Sequence, residues 1–121
     1  KKNVIYLNIS WGFGISIICN GELYYGQSGY SGEFGHSPIL DNEIICECSK
    51  KGCIQTEMSG ETILRLFKER LKEGSTSMLT NKKPIEDITM YDIIHAATEN
   101  EDLLAIEVIE KIGEKFDCEC F

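Results

Sequence analysis

Residues 46–53, CECSKKGC, place three cysteines within eight positions. Thiols packed that closely become a disulfide, a redox pair or a metal site, and each choice fixes the local fold differently. They lie in a glycine-rich stretch, residues 26–56 (GQSGYSGEFGHSPILDNEIICECSKKGCIQT), that shows no sustained hydrophobic period. A structureless segment of this length is uncommon in a compact domain unless something pins it. Zinc takes four nitrogen or sulfur ligands in a tetrahedron. Cys46, Cys48 and Cys53 offer three thiolates, so the fourth ligand should come from a neighbouring segment. His36 lies ten residues upstream of Cys46 in Gly-His-Ser-Pro. The other histidine, His95, sits in an apolar helical stretch and reads as a packed or partly exposed helix residue. A site of three cysteines and one histidine would tie the two ends of the loop together, and closed four-ligand sites are structural rather than catalytic. Two competing readings are chance clustering in a cysteine-rich chain and a redox site; the latter usually favours CxxC, which is absent.

Charge and hydropathy narrow the setting. The 121-residue chain carries a formal net charge of −8, so its surface repels nucleic-acid phosphates and direct DNA contact by this segment is disfavoured. No apolar run approaches the roughly 20 residues of a membrane helix. The opening KKNVIYLNIS lacks the apolar core and cleavage site of a signal peptide. The expectation is a cytoplasmic setting, where clustered thiols more often bind metal or do redox chemistry than form structural disulfides.

The flanks divide into two characters. NVIYLNI, 3–9, is a nearly continuous apolar run and predicts a strand buried on both faces. WGFG, 11–14, interrupts the pattern, and ISIIC, 15–19, resumes it with Cys19 as a core residue. Asn20-Gly21 before ELYYG is a strong hairpin signal, because both residues tolerate positive φ. Helices follow. Ser59 or Gly60 opens ETILRLFKERLKEG, with Ile63, Leu64, Phe67 and Leu71 on one face and Gly74 as its stop. Thr89 with Asp92 approximates a capping box for YDIIHAAT. Asn100 is the predicted cap of a third helix bearing Leu104, Val108, Ile112 and Phe116. The order predicts a β unit at 1–26, a glycine-rich loop with the candidate zinc ligands at 27–58 (the sugar-site loop, if the resemblance described next holds) and a helical part at 59–121.

GEFGH, then Cys46-x-Cys48 and Gly52-Cys53-Ile54, with Ser59 beyond, resembles the signature of the ROK family of bacterial repressors, uncharacterised reading frames and sugar kinases. Gly32, Glu33, Gly35, His36, Cys46, Cys48, Gly52, Cys53 and Ser59 fall in register with it. The resemblance is strong over 3–60 and looser to about 116. It implies an α/β fold, part of the C-terminal lobe of an actin-like, ribonuclease-H-like ATPase architecture. It also implies zinc on His36, Cys46, Cys48 and Cys53. Glu33 would accept hydrogen bonds from sugar hydroxyls, and His36 would turn one ring nitrogen to the metal and the other to the sugar.

The sequence also departs from the family. Ser10-Trp11-Gly12 stands where the kinases carry Gly-Thr-Gly at the second phosphate loop, and Gln55 stands where a sugar-contacting Glu is usual. Glu47 and Ser49 replace glycines or small residues. The catalytic Asp of the family follows an Asn, and no Asn-Asp pair occurs here. The N-terminal phosphate motif and the adenosine-binding glycines are missing too, so this chain alone is not expected to phosphorylate sugar. Cys118 and Cys120 in FDCECF read as a tail. The expected function is the effector-binding portion of a sugar-responsive transcriptional regulator. It would bind a carbohydrate, reach DNA only through a domain outside this chain and be homodimeric in the full-length protein. The alternative is one lobe of an ATP-dependent, glucokinase-like sugar kinase.

Overall fold

The structure, a computed structural model, describes residues 2–29 and 32–120, apart from the side chains of 118–120. The CxC pair Cys118–Cys120 is therefore seen only as backbone in the last helical turn; its thiols lie outside the described residues. Among the described residues no helix is long and apolar enough to cross a membrane. The chain forms two compact units that divide between Ser59 and Gly60.

The first unit is built on a three-stranded antiparallel sheet in the order β1 (Val4–Ile9), β2 (Phe13–Cys19), β3 (Glu22–Leu23). Val4 pairs with Ile18 and Ile9 with Phe13, and Cys19 pairs with Glu22 across the second turn. That turn is the expected one: Asn20 and Gly21 hold φ of 54° and 83°, as a type I′ turn demands. The Asn3 side-chain oxygen accepts from the Asn20 N–H at 2.8 Å, so the start of the chain is laced to the turn.

Two expectations fail here. β1 is not buried on both faces: Val4 is half-buried and residues 5–9 are exposed, with Ile5 at 68%. Among the described residues β1 lies at the edge of the sheet, paired with β2 alone. Cys19 is exposed rather than a core residue, because it ends β2 at the turn.

The second unit packs α1 (Gly60–Lys72), α2 (Met90–Glu99) and α3 (Leu103–Cys120) around one apolar cluster. Ile63, Phe67 and Leu71 recur at four-residue spacing and supply the buried stripe of α1, as one helical face requires. The Thr89–Asp92 capping box forms in full at the start of α2. Arg70 of α1 and Glu107 of α3 pair at 2.9 Å.

The cap of α3 is Asp102, not Asn100. Asn100 terminates α2, its N–H bonding the Ala96 carbonyl at 3.3 Å. Buried Asp102 accepts from the Ala105 N–H at 3.1 Å, from the Met78 N–H at 3.0 Å and from the Ser77 hydroxyl at 3.1 Å. Its carboxylate thus serves the helix N-terminus and a connection 24 residues away together, which a neutral Asn could not do as well.

Candidate functional site

The glycine-rich stretch is folded, and its backbone explains how. Phe34–His36 form a single 3₁₀ turn. Gly35 lies so close to β2 that a Cβ there would stand 2.2 Å from the Phe13 carbonyl oxygen, so no other residue fits. The Phe34 ring packs on Phe13 with centroids 5.9 Å apart. These contacts set His36 at the edge of the sheet. The chain then runs out and returns. Cys46 and Lys50 close a tight turn, the Cys46 N–H bonding the Lys50 carbonyl at 2.8 Å and the Ser49 N–H bonding the Cys46 carbonyl at 2.8 Å. On the returning arm the Leu40 N–H bonds the Gly52 carbonyl at 2.9 Å, and the Ile54 N–H bonds the Ser37 carbonyl at 3.2 Å. A bridge between Pro38 and Cys53 brings the last cysteine beside His36.

The result is a cluster of His36, Cys46, Cys48 and Cys53 whose ligand atoms all lie within 4.8 Å of one another. Cys46 Sγ is 3.4 Å from His36 Nδ1, and Cys48 Sγ is 3.5 Å from Cys53 Sγ. Donors about 2.0–2.3 Å from a common tetrahedral centre stand roughly 3.3–3.8 Å apart, so the gathered set suits a zinc-sized ion with little rearrangement. Cys46 and Cys53 are buried and the other two half-buried. Among the described residues no other group of three or more such donors gathers, and His95 is exposed on α2.

The thiols are not equivalent. A backbone hydrogen bond at Lys50, outweighing partial burial, lowers Cys48 to about 7. Burial, reinforced by hydrogen bonds with Cys48 and Cys46, pushes Cys53 up to about 12. A metal binding here meets one thiol already disposed to ionise and must displace a proton from the other. Lys50 adds positive charge, its Nζ donating to the His36 carbonyl at 3.3 Å, and Lys51 pairs with Glu43.

The remaining candidate residues flank this cluster. Glu33 precedes the 3₁₀ turn and is exposed. Gln55 is buried, two residues past Cys53. Its amide nitrogen donates to Glu47 Oε1 at 2.9 Å, a pairing that sequence reasoning missed because nothing local links positions 47 and 55. Ser10–Gly12 is a tight turn between β1 and β2, its Ser10 N–H bonding the Gly12 carbonyl at 3.1 Å, with Trp11 exposed at the tip.

The family model of the ROK family matches residues 1–117. The chain belongs to the ROK family. The curated xylose repressor of Caldicellulosiruptor bescii is 32% identical over 115 residues, covering 93% of this chain and 29% of the repressor. A ROK family transcriptional regulator, a homologue of the Escherichia coli MLC protein, superposes with a TM-score of 0.79 at 32% identity, over 93% of this chain and 28% of that one. A ROK family glucokinase from Streptomyces griseus, solved with glucose and AMPPNP, gives 0.77 at 26% identity over 88% and 35%. The chain spans about three-tenths of the length of the curated relatives it matches. Its sheet and helices are thus an α/β portion of the actin-like ROK fold.

Proposed function

We propose that this chain is the effector-binding, zinc-carrying part of a ROK-family transcriptional regulator that responds to a sugar. The gathering of His36, Cys46, Cys48 and Cys53 from both arms of one loop carries the reading. A zinc ion held there would cross-link the two arms and fix the tautomer of His36. With Nδ1 turned to the thiols, Nε2 is the ring nitrogen left to meet a ligand. Exposed Glu33, three residues earlier on the same turn, can accept hydroxyl hydrogen bonds, and Gln55 offers an amide on the other arm. Sugar binding would then bias two arrangements of a homodimer and alter operator affinity through a domain outside this chain.

The regulator reading is supported by the likeness to a xylose repressor and by Trp11 at the β1–β2 turn. A turn that cradles ATP phosphates needs small residues and donors, and Ser10-Trp11-Gly12 offers a bulky indole instead. The likeness to the S. griseus glucokinase favours a second reading, one lobe of an ATP-dependent sugar kinase. The residues encoded upstream of Lys1 separate the two. A helix-turn-helix there supports the regulator; an acidic, glycine-bearing phosphate loop followed by an Asn-Asp pair supports the kinase.

Elemental mass spectrometry with thiol counting tests the metal. The expected result is one zinc per chain, with three thiols becoming reactive only on chelation. A zinc-free chain purified in zinc-containing medium, with those thiols already reactive, refutes the assignment.

A further inference from the structure

The four donors of the cluster fall into two pairs. Cys46 Sγ faces His36 Nδ1 at 3.4 Å, and Cys48 Sγ faces Cys53 Sγ at 3.5 Å. The second pair is not a CxxC motif, since residues 49–52 separate the two thiols. The folded loop brings them together instead, and backbone contacts hold both ends. The Cys46 N–H bonds the Lys50 carbonyl at 2.8 Å. Ile45 and Lys51 form a bridge, and so do Pro38 and Cys53. A disulfide sets its sulfurs about 2.05 Å apart, so these two have about 1.5 Å to close, a distance that rotation about the two Cα–Cβ bonds can cover. The thiols also differ in access. Cys53 is fully buried and Cys46 nearly so, whereas Cys48 is half-buried and the most open of the three.

We propose that Cys48 and Cys53 are a redox pair: a hydroperoxide converts them to a disulfide, and the cluster thereby gives up its ion. This rests on the zinc-binding reading above. The Cys48 thiolate attacks a peroxide oxygen and the O–O bond breaks; with one proton the products are the Cys48 sulfenic acid and a water. The Cys53 thiolate then attacks the Cys48 sulfur, and with a second proton the hydroxyl leaves as water. The two thiolates lose two electrons in all, and hydrogen peroxide is reduced to two waters. Two of the four donors are consumed. Only His36 and Cys46 remain, too few for a closed zinc site. The loop stays tied, with a covalent bond in place of the ion, and a thiol reductant reopens it.

The test adds hydrogen peroxide to the zinc-loaded full-length protein, blocks the remaining thiols by alkylation and cuts the chain after Glu and Lys. Cleavage after Glu47, Lys50, Lys51 and Glu57 puts each clustered thiol on its own fragment. The expected product links residues 48–50 to residues 52–57. Zinc should pass to a chromophoric chelator at one ion per link formed, and dithiothreitol with added zinc should restore the starting state. Cys19→Ser, which removes an exposed thiol outside the cluster, should alter neither readout. Protein stripped of zinc beforehand should form the same link faster, because its thiolates are no longer shielded by the ion. A link that uses Cys46 overturns the proposal, as does zinc loss with Cys48 and Cys53 still open to alkylation. Retention of zinc and of both thiols at a peroxide concentration that oxidises Cys19 also overturns it. A protein isolated without zinc that still forms the link between 48 and 53 upholds the pairing and overturns the zinc-binding reading.

Discussion

Replacing Gly52 by alanine should weaken metal binding far more than a single methyl group suggests. Gly52 holds φ at 76°, a left-handed conformation that costs a residue with a Cβ about 1–2 kcal/mol. That Cβ would also stand 2.2 Å from the Leu40 carbonyl oxygen, below any real contact, so one arm of the loop must move. The 2.9 Å bond from the Leu40 N–H to the Gly52 carbonyl is the first casualty, at about 1 kcal/mol. The sum, about 2–3 kcal/mol, falls on the residue next to Cys53. If it is spent in the metal-bound geometry, affinity drops by roughly 30- to 150-fold at tenfold per 1.4 kcal/mol. Competition against a chromophoric zinc chelator at fixed pH measures this directly. Gly14→Ala is the control: a Cβ there meets nothing within 4 Å, and zinc affinity should stay within about threefold. A Gly52→Ala chain that binds zinc as tightly as the Gly14→Ala chain would refute the argument that this close approach shapes the site.

Other perturbations address the helical unit. Asp102→Ala removes a cap worth about 1 kcal/mol and strands donors from Ser77 and Met78, for a total of about 2–4 kcal/mol by urea unfolding; Asp102→Asn should cost less than half as much. The Thr89 backbone N–H, with Lys83 beside it, holds Asp92 below its ordinary value of 3.8. A depressed carboxylate stabilises the fold above that ordinary value and loses its contribution as pH falls through the folded value, so the melting temperature should decline below about pH 4, and more shallowly in Asp92→Asn. Gly113 lies exposed inside α3 with open space at its Cβ position, and Gly113→Ala should raise stability by about 0.5–1 kcal/mol in the same urea assay.

What could be read in advance was what local chemistry decides. The Asn20-Gly21 turn, the Thr89–Asp92 box and the α1 stripe each follow from a few adjacent residues, and all three are present. The gathering of His36 with Cys46, Cys48 and Cys53 was legible because these are rare residue types at close spacing. β1 misled because an apolar run looks the same whether its strand is central or at an edge; burial depends on what covers it. The α3 cap misled because Asn100 and Asp102 are equally plausible on paper, and the deciding partners, Ser77 and Met78, are distant in sequence. The Glu47–Gln55 bond had no local signal at all, since the two stand eight positions apart in a stretch without a regular period.

The loop carries two independent closures. Backbone bonds from Ile54 to Ser37 and from Leu40 to Gly52 join its arms without help from any side chain, and the thiol–imidazole cluster joins them again. Redundancy of this kind changes what mutation can do over generations. A lineage that loses one of the clustered cysteines would give up the second tie but keep the first, and with it the course of the loop's backbone. Selection could then retune or discard the four-donor cluster in single steps without passing through an unfolded ancestor.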